Sequence, residues 1–158
     1  MPIIRLETQI KARQQIVFDL ARSIDFQSKV VISSDEKAVA GRTSGLISLG
    51  ETVTYRGRHL GVVQRLTTKI TDFDPPHFFA DEMLKGAFKS IRHEHYFSET
   101  EEGTLMKDVF KFEAPLGILG RLANVLFLKA YMTNFLKGRN KMLKEYAESG
   151  RWRKVISD

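Results

Sequence analysis

Residues 88–112 read FKSIRHEHYFSETEEGTLMKDVFKF, and their pattern predicts an antiparallel β-hairpin. In Phe88–Phe97 and Thr104–Phe112, apolar and aromatic residues alternate with polar ones, as in strands that bury one face. Between these stretches, Thr100–Gly103 is polar and ends in glycine, which is typical of a tight turn. We therefore expect the two strands to pair directly, with Glu101–Glu102 at the tip of the turn.

A two-residue tip sets the register of this hairpin. It places His95 opposite Asp108 and His93 opposite Phe110. Because residues two apart on a strand point the same way, His93 and His95 share one face. The matching face of the second strand includes Met106 and is more apolar than the alternate face, so we expect it to be the inner one. The register thus predicts a buried His95–Asp108 pair, which a slip of one residue would separate.

The sequence before the hairpin predicts further strands and two short helices. Gly- or Pro-bearing turns separate strand-like stretches at Glu36–Ala40, Glu51–Arg58, Val62–Phe73 and Phe78–Leu84. The turns are too short for parallel crossovers, so we expect an antiparallel meander rather than a nucleotide-binding sheet. Upstream, an alternating strand with Leu6, Thr8 and Ile10 precedes two short helical segments with apolar positions at Ile16, Val17, Leu20, Ile24, Phe26, Val30 and Val31.

One long amphipathic helix is predicted after the hairpin, from Pro115 to about Ser149. Its apolar positions recur at helical spacing and are Leu119, Leu122, Leu126, Met132, Phe135, Leu136, Leu143 and Tyr146. Polar and charged residues interrupt the apolar run Leu116–Leu136, so we expect a core helix and no membrane span.

Composition narrows the class of protein. The chain has 158 residues, 42% of them hydrophobic, 28% charged and none of them Cys. A chain with this hydrophobic content can form a core. The absence of Cys excludes disulfides, thiolate catalysis and thiolate zinc sites. The first residues lack the uninterrupted apolar stretch that a secretory leader or membrane anchor needs, so we expect a cytoplasmic protein. The sequence also contains no phosphate-binding Gly-rich loop and no nucleophilic-serine elbow.

This order of elements resembles the START-like superfamily, also called SRPBCC or helix-grip. Short motifs add to the resemblance and point to a bacterial, polyketide-cyclase-like subgroup. They are Gly45, Gly50-Glu51, Val53-Thr54, His59, Pro76 with Phe79, Gly86 with Phe88, the HEHYF stretch at 93–97, Thr104 with Asp108, Pro115-Leu116-Gly117 and Arg139. The resemblance implies an α+β helix-grip fold, in which a curved antiparallel sheet of about six to seven strands wraps around the C-terminal helix. We expect one domain over residues 1–158, with the helix at about 115–149 and a basic tail at 150–158.

The resemblance also implies an internal cavity between the sheet and the long helix. We therefore expect a carrier or sensor that binds a small hydrophobic molecule such as a lipid, polyketide or isoprenoid. The candidate ligand-binding residues are Tyr55, His59, Phe79, Met83, His93, His95, Met106, Asp108 and Phe110. The alternative is an enzyme of the cyclase, dehydratase or hydrolase type. In that case His95 would be the general acid or base, Asp108 would orient it, and His93 or Tyr55 would polarise a carbonyl.

Two features of the predicted site stay open at this stage. The turn at Lys85-Gly86 admits two lengths, which place either Asp81 or Glu82 on the face that carries His93. The two histidines and Asp108 suit a metal site, a polar or catalytic role in the pocket, or a structural hydrogen bond. We expect no metal and no cofactor, because a His-x-His pattern on a strand is common by chance.

The positive charge of the chain is concentrated at its C-terminal end. The net charge is +6, and residues 115–158 contain nine Lys or Arg against three acidic residues. No nucleic-acid-binding motif accompanies them, so we expect no nucleic-acid partner. Cations near a helix C-terminus interact favourably with the helix dipole, and we expect this role for the basic cluster. The alternative is that the cluster makes peripheral contact with an anionic membrane. The sequence leaves the oligomeric state open.

Overall fold

The computed structural model describes residues 1–30, 35–115 and 121–156, which form seven strands and three α-helices. The strands are β1 (Ile3–Ile10), β2 (Lys37–Gly41), β3 (Thr52–His59), β4 (Val62–Asp74), β5 (Phe78–Lys85), β6 (Ser90–Thr100) and β7 (Gly103–Glu113). The helices are α1 (Gln14–Ala21), α2 (Ile24–Val30) and α3 (Arg121–Ser149), followed by a 3₁₀ helix over Arg151–Lys154.

All seven strands lie in one antiparallel sheet. Their order is β1-β7-β6-β5-β4-β3-β2, so the first strand pairs with the last one and the other strands follow as a meander. Register shifts in β2 and β4 mark bulges, which bend strands locally. The helix α3 packs against this sheet, and the predicted α+β helix-grip architecture is confirmed.

The register of the hairpin β6–β7 agrees with the sequence prediction. His95 lies opposite Asp108 and His93 lies opposite Phe110. The neighbouring pair β5–β6 settles the alternative left open by the turn at Lys85-Gly86, because Asp81 is the residue opposite His93. Glu82 lies on the other face, 3.4 Å from the guanidinium of Arg92. Asp81 is therefore the inner acid.

The two short helices form where the sequence predicts them and cover one end of the sheet. Phe18 on α1 is fully buried and packs edge-on against Phe79 and Phe97 of the sheet. Ser23 separates the helices, and its hydroxyl accepts a hydrogen bond of 3.1 Å from the amide of Phe26, which caps α2. The predicted apolar position Val31 lies outside the described residues.

The buried face of α3 differs from the predicted one at one described position, Leu126. Leu136 and Leu143 are buried as expected, but Leu126 retains 59% of its exposure. Ten residues of α-helix rotate Leu126 about 80° away from Leu136, toward the edge of the buried stripe. The same stripe contains two polar residues, Arg139 and Asn140, that are also buried.

The predicted start of the long helix lies partly outside the described residues. Pro115 is not helical, α3 is described from Arg121, and residues 116–120 are not described. The predicted positions Leu119 and Leu122 therefore have no described side chains.

The predicted basic tail contains a short helix in its described part, which ends at residue 156. After Gly150 the chain forms the 3₁₀ helix, and Val155 and Ile156 then pack into the main hydrophobic cluster. Arg151 lies over the ring of Tyr146, with its guanidinium carbon 4.7 Å from the ring centroid. The apolar ends of this segment hold it against the core, while its cations lie at the surface.

Candidate ligand-binding site

A cavity of about 380 Å³ lies between the sheet and α3. This volume falls in the range of small-molecule sites in proteins. Its wall is mainly apolar and includes Val53, Ile70, Phe79, Ile91, Phe110, Leu128, Met132, Phe135 and Leu136. Strands supply one side of this wall and α3 the other, so the packing of the sheet around the helix creates the cavity.

The structure brings six of the nine predicted ligand-binding residues to the cavity wall. These are Tyr55, His59, Phe79, His93, His95 and Phe110. The structure does not place Met83, Met106 or Asp108 on it. Met106 has no exposed surface and packs in the main hydrophobic cluster, next to residues such as Leu143. Asp108 is 1% exposed and is covered by the two histidines. Met83 packs against the second cluster of apolar residues.

Two histidine–aspartate pairs lie at the polar end of the cavity. The Nε2 of His93 is 2.8 Å from Oδ1 of Asp108, and the Nε2 of His95 is 3.0 Å from Oδ2 of Asp81. The Nδ1 of His95 is 3.3 Å from the same Oδ1 of Asp108, but it lacks hydrogen-bond geometry and has no partner. Asp108 therefore holds His93 by a hydrogen bond and His95 by charge alone. The sequence predicted that His95 lies opposite Asp108, which the register confirms, but the hydrogen bond to Asp108 comes from His93, two residues away on the same strand face.

A helix residue completes the surroundings of Asp108. Asn140 on α3 donates a 2.8 Å hydrogen bond from Nδ2 to Oδ2 of Asp108. Both carboxylate oxygens of Asp108 are thus engaged, one by the sheet and one by the helix. The Oδ1 of Asn140 is buried without a hydrogen-bond partner.

These contacts shift the pKa values of the four titratable groups. Burial opposes the charge of Asp108, but the neighbouring imidazoles of His93 and His95 hold its pKa well below the usual range. For Asp81, burial is likewise outweighed by His95, and the pKa is lowered. Burial together with the charge of His95 lowers the pKa of His93. Burial alone would also lower the pKa of His95, but the carboxylates of Asp108 and Asp81 raise it.

The two imidazoles consequently differ in protonation tendency. His95 is the one that favours the charged form, between two carboxylates. His93 favours the neutral form, and its Nε2–H then donates to Asp108. An imidazole oriented by a carboxylate is the arrangement that general acid–base chemistry requires.

The same cluster has the spacing of a metal site. Ligand atoms of Asp81, His93 and His95 all lie within 4.8 Å of one another. Two imidazoles and a carboxylate are donors that Zn²⁺ or Fe²⁺ accepts. A bound ion would have to replace the proton that His95 shares with Asp81.

Sequence reasoning missed the contribution of α3 to this site. Arg139 is 8% exposed and lines the cavity, with its Nε donating to Oε1 of Gln27 and its Nη2 to the carbonyl oxygen of Ala21, both at 3.0 Å. Its Nη1 is buried without a partner. The sequence spacing could have indicated that Arg139 faces the core, because Leu136, Arg139 and Leu143 are three and four residues apart and so lie on one helical face.

A second polar group on the cavity wall is centred on His59. The Nδ1 of His59 is 2.9 Å from the hydroxyl of Tyr131 on α3, and its Nε2 is 3.3 Å from Oε2 of Glu36. Phe135 packs edge-on against the same imidazole. Leu60, adjacent to His59, also lines the cavity and is 55% exposed, so this group connects β3 and α3 where the cavity meets the surface.

Comparison with known proteins identifies the family. Residues 1–148 match the family described as polyketide cyclase / dehydrase and lipid transport. The chain belongs to this family. The resemblance to the START-like superfamily is thereby confirmed, and the matched residues include every side chain of the cavity described above.

Solved structures similar to this family member share its fold. TTHA0849 from Thermus thermophilus is 18% identical, with 90% of this chain and 97% of that chain covered and a TM-score of 0.70. The di-domain ARO/CYC StfQ from the steffimycin biosynthetic pathway is 13% identical, with 94% and 51% covered and a TM-score of 0.72. Ara h 8.0201 is 12% identical, with 92% and 97% covered and a TM-score of 0.63. No curated protein matches the sequence.

None of the helices in the described part of this family member has the length and apolar character needed to cross a membrane.

Proposed function

We propose that this protein binds a small hydrophobic molecule in the cavity between the sheet and α3, as a carrier or sensor. The observation that carries the proposal is the cavity of about 380 Å³ whose wall is mainly apolar and whose polar groups are grouped at defined places. Removing an apolar ligand from water into such a space is favourable, and a few polar groups suffice to orient it. Lipids, polyketides and isoprenoids are ligand classes of this kind.

The first experiment is native mass spectrometry of gently purified protein, followed by extraction of any bound small molecule. The second is titration with N-phenyl-1-naphthylamine, an uncharged fluorophore that brightens in apolar surroundings. Val53 lines the cavity on β3 and is 3% exposed, so Val53→Phe should fill part of the space. Val39 on β2 is 43% exposed, and Val39→Phe is the matched control.

We expect Val53→Phe to weaken binding of the fluorophore about tenfold or more, because the added ring and the ligand compete for one volume. Val39→Phe should bind as the unsubstituted protein does. Circular dichroism and thermal unfolding establish that both variants are folded. Equal binding by the two variants, or no binding and no co-purified molecule in the unsubstituted protein, would refute the proposal.

A specific observation favours an enzyme as the second candidate function. Both His93 and His95 line the cavity, and each is held by its own aspartate. An enzyme of the cyclase, dehydratase or hydrolase type would use such a pair to move a proton to or from an apolar substrate. For any turnover found in a screen of apolar ketones and esters, His95→Gln should lower kcat more than it changes KM. An undiminished kcat would exclude His95 from the chemistry.

A further inference from the structure

Four cations lie together on the outer face of the sheet, at the end formed by β2, β3 and β4. Lys37, Arg56 and Arg65 occupy directly paired positions of these neighbouring strands, and all three side chains are exposed. Paired residues point to the same side of a sheet, and neighbouring strands lie about 4.8 Å apart, so these like charges form one row. Arg58, two residues after Arg56, is also exposed and points the same way, whereas alternate residues of β3 line the cavity. We call these four residues the cationic face.

Acids do not balance the cationic face as they do elsewhere on the outer surface of the sheet. Further along the sheet, on β6, Arg92 is 3.4 Å or less from three carboxylates. Among the described residues, the cationic face has one acid, Asp35, which is 3.9 Å from Lys37, and both partners of that pair are highly exposed. An exposed pair of this kind contributes little. Like charges directly opposite each other destabilise a sheet, so an anionic partner would relieve a repulsion that is built into this face.

The tip of the β3–β4 hairpin, beside the cationic face, is apolar and exposed. Leu60, Val62 and Val63 are all exposed, and Val63 lies opposite Arg58. Leu60 has φ +55° and Gly61 has φ +78°, so both central residues of this tight turn are left-handed, a conformation that favours Asn and Gly. A leucine at the first position opposes this backbone preference and also places an apolar side chain in water. Both costs indicate that the exposed apolar tip has a role in binding.

Exposed apolar surface continues from this tip onto α3. The hydroxyl of Tyr131 on α3 is 2.9 Å from Nδ1 of His59, the residue before Leu60. Phe127, one turn earlier on α3, is exposed, and its ring centroid is 6.4 Å from that of Tyr131. Leu60 itself lines the cavity. Apolar side chains of the hairpin tip and of α3 therefore flank the place where the cavity meets the surface.

We propose that the cationic face and the tip of the β3–β4 hairpin dock this protein on an anionic lipid membrane. The cations contact lipid phosphates, and Leu60, Val62 and Val63 enter the boundary between headgroups and acyl chains. A nucleic acid would also attract the cations, but it would leave the aliphatic tip in water, so a lipid surface matches both features. The inference goes beyond the proposed function, because it concerns the surface at which the protein acts and holds whatever the cavity contains.

Co-sedimentation with sucrose-loaded vesicles tests the inference. Vesicles of phosphatidylglycerol and phosphatidylcholine in equal amounts present an anionic surface, and vesicles of phosphatidylcholine alone do not. We expect the protein to bind the anionic vesicles at least about tenfold tighter than the neutral ones. Raising the salt concentration from about 0.05 M to about 0.3 M should weaken this binding, because salt screens the exposed cations.

Two double variants locate the charges that bind. Arg56→Gln/Arg65→Gln should weaken binding to the anionic vesicles about twentyfold, since each cation near such a surface contributes about fivefold. Its Tm should not fall, because the change removes a pair of like charges. Arg5→Gln/Lys107→Gln is the matched control. It removes two exposed cations from β1 and β7, at the other end of the sheet, and should weaken binding by less than about threefold.

A leucine variant tests the apolar tip. Leu60→Asn removes the apolar side chain and supplies a residue that suits the left-handed turn, so Tm should stay the same or rise. Binding to the anionic vesicles should become about fivefold weaker. Leu49→Asn is the matched control, because Leu49 is similarly exposed and lies in the turn that precedes the other end of β3. It should bind vesicles as the unsubstituted protein does.

The outcomes separate this inference from the proposed function. No binding to the anionic vesicles at low salt would overturn it, as would equal losses in the two charge variants or in the two leucine variants. Tighter binding of polyuridine RNA than of vesicles, lost in Arg56→Gln/Arg65→Gln, would overturn the lipid surface in favour of a nucleic acid. Binding of N-phenyl-1-naphthylamine in the cavity is measured without vesicles, so the docking surface and the proposed function can fail independently.

Discussion

Replacement of Asp108 is the most direct test of the buried hydrogen bonds around His93 and His95. It accepts hydrogen bonds of 2.8 Å from His93 and from Asn140, and it is 1% exposed. In Asp108→Leu the volume is roughly kept, but both donors lose their acceptor. A buried donor without a partner costs about 1–3 kcal/mol, so the free energy of unfolding should fall by about 4 kcal/mol.

Asp108→Asn should cost less than Asp108→Leu. The amide keeps one acceptor oxygen, and Asn140 can rotate its own amide so that its Oδ1, now without a partner, accepts from the new NH₂ group. The loss is then limited to the charge assistance of the two bonds, about 1–2 kcal/mol, or about 2–8 °C in Tm for a chain of this size. Glu101→Gln, at the exposed tip of the β6–β7 hairpin, is the control and should be neutral within about 0.5 kcal/mol.

The effect of Asp108→Asn should also depend on pH. The pKa of Asp108 is well below its usual range in the folded protein, so the unfolded chain takes up this proton first as the pH falls. The contribution of the carboxylate to stability is therefore complete above about pH 5 and declines as the pH falls toward the folded-state pKa. The stability difference between the unsubstituted protein and Asp108→Asn should be larger at pH 7 than at about pH 3.5.

Urea unfolding at the two pH values measures this difference, and ¹⁵N NMR of the imidazoles identifies the partner. His93 should show the larger change in Asp108→Asn, because it forms the hydrogen bond, with a smaller change at His95. Equal stability of Asp108→Asn and the unsubstituted protein at pH 7, together with unchanged imidazole resonances, would refute this account of the cluster.

Further predictions concern the helix face, the cavity mouth and the hairpin turn. Leu143→Ala should lower the free energy of unfolding by about 2–5 kcal/mol, because Leu143 has no exposed surface. Leu126→Ala should change it by less than about 0.5 kcal/mol, because Leu126 is 59% exposed. Equal losses for the two variants in urea unfolding would contradict the described helix face. Tyr131→Phe removes the hydrogen bond to His59 between α3 and β3, and stopped-flow release of N-phenyl-1-naphthylamine should become about fivefold faster; an unchanged rate would argue against a role in retention. Gly103 has φ +140°, and an added Cβ would clash with the backbone at the end of β1. Gly103→Ala should therefore lower Tm by several degrees. An unchanged Tm in thermal unfolding would count against this turn geometry.

Local sequence patterns were sufficient to predict the strands and helices and the register of one hairpin, β6–β7. The alternation along β6 and β7 and the short turn ending at Gly103 predicted that His95 lies opposite Asp108, because a strand has a period of two and a short turn leaves few registers. The turn at Lys85-Gly86 did not provide the same information. Its length admitted both Asp81 and Glu82, and only the observed pairing of β5 with β6 selects Asp81.

The cavity wall was predicted less completely, for a geometric reason. Strand parity assigned Met106 and Asp108 to the inner face correctly, but an inner residue lines a cavity only where nothing packs onto it. Met106 lies in the filled part of the core with Leu143, and Asp108 is covered by the histidines and Asn140. The position at which the helix leaves the sheet uncovered depends on side-chain volumes and on the path of α3, which local patterns do not contain.

The sequence by itself determined that this chain forms an antiparallel meander with two short helices and a long C-terminal one, because hydrophobic periodicity and turn residues act over a few neighbouring positions. It also determined that two histidines share one inner strand face. Only the tertiary structure decided which acid each histidine meets, and that Arg139 and Asn140 enter the same region from α3. The hydrogen bonds of these two helix residues join positions 32 or more apart in the chain, and their geometry is set by how the sheet closes around the helix.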